Sequence, residues 1–100
     1  MARILNMVLL LVATLMAVVA YDDRVDFKPK SGQTPAEFCK KWPSKCKSVA
    51  RKHHAPGKLY FVCELGPRPG LAEAYCDMLD GTKRFQYADE VGRDLGATQV

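Results

Sequence analysis

The segment "LAEAYCDMLDGTKRFQYA", residues 71–88, decides the fold of this chain. Its first half reads two ways. Residues 71–79 are a helix ending near Gly81, or a strand that turns Ala72, Ala74, Cys76 and Met78 to one face. The Asp80-Gly81 pair selects the strand, because Asp-Gly between two alternating runs is the strongest short-range hairpin signal. Residues 82–88 then return as the next strand, with Phe85 and Tyr87 inward. A two-residue turn at 80–81 pairs residue 79 with 82 and Cys76 with Phe85, which keeps both on the core face.

Upstream, "KLYFVCEL", 58–65, alternates as a strand should. Leu59, Phe61, Cys63 and Leu65 share one face, and Lys58, Tyr60, Val62 and Glu64 the other. "GPRPG", 66–70, is a turn by composition. Three consecutive strands joined by short turns make an antiparallel meander.

A helix precedes it. In "TPAE", 34–37, Thr34 caps, Pro35 suits the first helical position and Glu37 completes a capping box. Pro43 donates no backbone hydrogen bond and crowds the preceding turn. The expectation is therefore two helical pieces, 35–41 and 44–53, with Ser44 capping the second. "HHAPG" ends the helix, and Pro56-Gly57 turns the chain. In "YDDRVDFKPKSGQ", 21–33, Val25 and Phe27 alternate with charges, giving a short edge strand or a flexible arm. The tail, "DEVGRDLGATQV", is a weak final helix or a frayed end. The fold class is α+β: an N-terminal broken helix packed on a three-stranded antiparallel meander, with residues 34–100 as one small domain.

The N-terminus reads separately. Arg3 is followed by an apolar run from Ile4 to Ala20, with Val18 and Ala20 before a cut ahead of Tyr21. These are the parts of a secretory signal peptide, residues 1–20. Read instead as a membrane anchor, the run is near the short limit for a spanning helix and is interrupted by Asn6. Of the 15 Lys and Arg in the chain only Arg3 is lost on cleavage, leaving 14 against 11 acids.

A domain this small has a marginal core, so it needs staples. Cys39, Cys46, Cys63 and Cys76 supply two disulfides. Their spacing fits neither common zinc pattern, so no metal is expected. Four cysteines allow three pairings, and height ranks them. Measured from the turn at 54–57, Cys46 sits about 12 Å up the helix and Cys39 about 22 Å. Cys63 sits about 16 Å up its strand, and Cys76 lower, opposite Tyr60 or Phe61. The best match is Cys39–Cys63 with Cys46–Cys76, both tying helix to sheet.

Charge is unevenly placed. Lys40, Lys41, Lys45, Lys47, Arg51, Lys52 and Lys58 run from 40 to 58 without an acid. Residues 64–94 carry Glu64, Glu73, Asp77, Asp80, Asp89, Glu90 and Asp94 against four bases. Such a field draws anionic surfaces, although a charge run is often only a solvated face. Trp42 within the basic run either plugs the helix–sheet junction or anchors a partner. The candidate binding face is Lys40, Lys41, Trp42, Lys45, Lys47, Arg51 and Lys52. His53 and His54 could serve acid–base chemistry, but adjacent helical residues point about 100° apart and do not converge on one substrate. A polar helix end is the simpler reading, since histidine favours the C-terminal dipole. No catalytic residue or cofactor is assigned.

The whole precursor resembles a fungal small secreted cysteine-rich protein of the effector-candidate type. The features that carry this are the signal peptide, the 80-residue remainder and cysteines at 39, 46, 63 and 76. The resemblance implies secretion during host colonisation, a small α+β or β scaffold, and action by binding. It transfers no functional residue. The expected function is a secreted, non-enzymatic binding protein that acts as a monomer on a host protein or anionic cell-surface component, with nucleic acid not expected. The alternative is a cationic antimicrobial or membrane-active protein. A small hydrolase using His53 or His54 has least support.

Overall fold

The computed structural model describes residues 24–100; the expected signal peptide, 1–20, lies outside them. The elements run β1 (Val25–Lys28), α1 (Pro35–His53), β2 (Lys58–Leu65), β3 (Ala72–Asp80), β4 (Lys83–Gln86), α2 (Ala88–Asp94) and β5 (Thr98–Gln99). The class is α+β. The helix is not N-terminal, because β1 precedes it.

The sheet has five antiparallel strands rather than three. β3 is its centre. One edge of β3 pairs with β2 in eight consecutive registers, from Leu65↔Ala72 to Lys58↔Leu79. The other edge is shared: β1 takes Ala72 to Ala74, and β4 takes Asp77 to Asp80. β1 is therefore not an edge strand, since β5 pairs on its far side through Phe27↔Gln99 and Lys28↔Thr98.

Ala72, Ala74, Cys76 and Met78 are all buried on one face of β3, as their alternation requires. The hairpin register differs from the sequence expectation by two residues. Asp80 pairs with Lys83 and Met78 with Phe85, so the loop is Gly81-Thr82. Gly81 has φ 62, which suits glycine at the first loop position of a type II′ turn. A slip of two preserves side-chain parity, so Phe85 still lies on the side of Cys76. Leu65, expected inward, is 67% exposed at the end of β2.

α1 is one helix of 19 residues, not two pieces. Its start is built as the sequence indicates. The Glu37 amide donates to Thr34 Oγ1 at 3.1 Å, and the Thr34 amide donates to Glu37 Oε1 at 3.2 Å. Pro43 lies inside the helix, and Ser44 caps nothing there. The physical reason is tertiary. Phe38 and Trp42 before the proline, and Cys46 and Val49 after it, are all buried against the sheet. Burying large side chains is worth roughly 1.5–3 kcal/mol each, which offsets the roughly 3 kcal/mol penalty of an interior proline. His54 then closes the helix in the left-handed region, its amide donating to Arg51 O at 3.1 Å.

Phe27, Phe38 and Trp42 form the centre of the core, with ring centroids 5.5 to 5.7 Å apart. α2 packs beside α1 over β1. A Cβ on Gly92 would fall on the Phe27 ring, so α2 approaches β1 as closely as a glycine permits. Two disulfides pin α1 from above: Cys39–Cys63 to β2 and Cys46–Cys76 to β3.

Candidate functional site

The outward arc of α1 is the basic face, and the fold decides which cations belong to it. Trp42 does not. It is fully buried, and its indole N–H donates to the carbonyl oxygen of Tyr75 at 2.9 Å. The residue is a core plug with its polar edge satisfied. Lys52 is also withdrawn, because its Nζ lies 3.1 Å from Glu90 Oε2 on α2.

At about 100° per residue the remaining cations fall into two stripes. Lys40, Lys47 and Arg51 form one, of which Lys47 and Arg51 lean toward β2. Lys47 Nζ stands 5.7 Å from the centroid of the Phe61 ring. Lys47, Arg51 and His54 border a shallow depression of about 430 Å³, floored by Ala50, Leu59 and Met78. Lys41 and Lys45 form the second stripe, leaning toward α2. With Lys40, Ser44, Ser48 and Leu95 they border a second depression of about 450 Å³. Among the described residues no ion pair engages Lys40, Lys41, Lys45, Lys47 or Arg51.

The acids lie elsewhere. Glu64 and Glu73 face each other across β2 and β3, and Arg24 bridges them at 2.5 and 3.5 Å. Glu90 is held below the usual carboxylate range, first by its hydrogen bond with His53 and then by that with Lys52. Glu37 is lowered by the capping bonds of Thr34, the backbone one first.

The two histidines do not converge. His53 Nε2 lies 2.7 Å from Glu90 Oε1, and its ring stacks on Tyr87 at 4.8 Å with planes 10° apart. His54 borders the Arg51 depression instead. Burial, followed by the charge of Glu90, pushes the Tyr87 hydroxyl upward. The importance of Glu90 was not readable from the chain. It sits in one acidic segment among several, and its role depends on where α2 docks.

Among the described residues no helix is long and apolar enough to cross a membrane. The two disulfides indicate an extracellular or otherwise oxidising compartment. Compared with protein families, curated proteins and solved structures, the chain matches none of them.

Proposed function

We propose that this chain is a secreted, disulfide-stapled, non-enzymatic binding protein of the effector type. It acts on a host protein or anionic cell-surface component through Lys40, Lys41, Lys45, Lys47 and Arg51. The observation that carries this reading is the division of α1 into two arcs. One is pinned by two disulfides and an aromatic cluster. The other presents five cations with no ion-pair partner among the described residues. A rigid helix holding several cations in fixed relative positions favours a partner with matched negative charge. Glu90 holds Nε2 of His53 and Tyr87 stacks on its ring, which ties this side chain into the contact between α1 and α2.

The test is capture from host tissue by the oxidised protein, beside a variant with these five cations changed to Gln. A protein partner retained by the parent and lost by the variant is the expected result. Capture that is unchanged in the variant would overturn the reading. Retention on anionic vesicles without a protein partner would favour the membrane-active alternative.

A further inference from the structure

β2 has a neighbour on one side only. It pairs with β3 along all eight of its residues, without a bulge and without a proline. The other side of β2 is bounded by no strand of the described residues.

The phase of the ladder shows which backbone groups face that side. The Tyr87 amide donates to Cys76 O at 2.8 Å, so the backbone groups of Cys76 point toward β4 and away from β2. In a strand, a residue's N–H and C=O point the same way and alternate along the chain. Phe61 opposite Cys76 is therefore a non-hydrogen-bonded pair. The N–H and C=O groups of Leu59, Phe61 and Cys63 all point outward from the sheet. This is the template onto which an added strand pairs.

The surroundings of this edge specify what would pair. On the helix side Lys47 stands over Phe61, and Arg51 borders the same depression as Lys47 and Leu59. An added strand would have every second side chain beneath these two cations. On the opposite face the edge presents Tyr60, which is 43% exposed, and Val62. The intervening side chains of the added strand would lie beside them. A second copy of this chain fits poorly. Two-fold pairing centred on Phe61 would bring two Lys47 ammonium groups together over adjacent rings.

We propose that β2 receives an extended segment of a protein partner by strand addition. The segment alternates acidic side chains, turned toward Lys47 and Arg51, with apolar ones turned toward Tyr60 and Val62. This rests on the reading of α1 as an acid-seeking face and extends it to a mode of binding.

The probe is a seven-residue peptide of alternating Glu and Val, added to the oxidised, isotope-labelled protein. Amide exchange and chemical shifts are followed residue by residue. The expected result is saturable binding with slowed exchange at the amides of Leu59, Phe61 and Cys63, while those of Tyr60 and Val62 change little. N-methylation of alternate peptide amides should abolish it. Lys47→Glu with Arg51→Glu should weaken it at least about tenfold and reverse its charge preference. Binding that perturbs Lys40, Lys41 and Lys45 without protecting the three β2 amides would sink strand addition while leaving the basic-face reading standing. No binding at all would overturn the strand proposal, and capture of a partner by the helix cations would remain a separate result. Concentration-dependent dimerisation protecting the same amides would also overturn it, by assigning the edge to a second copy.

Discussion

The Nε2 of His53 lies 2.7 Å from Oε1 of Glu90, and this contact joins the end of α1 to α2. Lys52 reaches the other carboxylate oxygen at 3.1 Å. Glu90 is depressed by these bonds, so it holds fewer protons in the folded chain than in the unfolded one. Its contribution to stability is full above the ordinary carboxylate range and is lost as pH falls through its lowered value. Glu37 follows the same sign. Glu90→Gln should leave a shallower loss of thermal stability on acidification below about pH 4. A variant with the parent's acid limb would show that the clamp does not couple to folding.

Replacing Trp42 by Phe removes the donor to Tyr75 O and part of a fully buried ring. The expected loss is about 1–3 kcal/mol, combining one lost hydrogen bond with the cavity left by the smaller ring, while Tyr75 O keeps its ladder partner Val62. Denaturant unfolding measures it. A loss below about 0.5 kcal/mol, the size of an ordinary surface change, would contradict a core role for the indole.

Pro43→Ala tests the unbroken helix. Pro43 has no amide to donate to Cys39 O, the bond an interior residue would make. Alanine supplies that donor without adding bulk. Stability should rise by about 1–3 kcal/mol, less than or equal to the full propensity difference. A fall would mean that the proline shapes a bend which the disulfides need.

Gly92→Ala should destabilise. The added methyl would meet Phe27 Cε1 at 2.2 Å, and that ring is locked between Phe38 and Trp42. Overpacking of this kind costs about 1–3 kcal/mol. A neutral result would show that α2 can lift from β1.

The two disulfides differ in access. Cys46 and Cys76 are fully buried, whereas Cys39 and Cys63 are only partly so. Graded reduction with alkylation should open Cys39–Cys63 first. Removing either bond should cost about 2–5 kcal/mol. Simultaneous opening would indicate that global unfolding, not local access, controls reduction.

The legible parts of this fold were those with local chemistry. Thr34 and Glu37 satisfy each other's backbone within one turn, and the alternation of β2 and β3 names the buried face directly. The disulfide pairing followed from helix and strand rise measured from the turn at 54–57, with Cys76 placed low on the sheet by the strand order. Pro43 misled because its penalty is local, while the burial of Phe38, Trp42, Cys46 and Val49 that overrides it is tertiary. The Asp-Gly pair announced the hairpin but placed its loop one residue early, since Gly81 occupies the first loop position. β5 carries no signal, because Thr98 and Gln99 are polar and exposed. The basic face was visible as a charge run. Its membership was not, because Lys52 leaves it only when α2 brings Glu90 alongside.

The clasp between β1 and β5 bears on how the molecule assembles. Lys28 meets Thr98, a separation of 98 − 28 = 70 positions, and Val100 donates to Asp26 O at 3.0 Å. The meander from β2 to β4 can zip from neighbour to neighbour, but β1 has to wait for β3, and β5 has to wait for β1. Loops this long close slowly. The first described strand is thus among the last to find its place. Until it does, Phe38 and Trp42 have no Phe27 to pack against, and the aromatic centre of the core stays open.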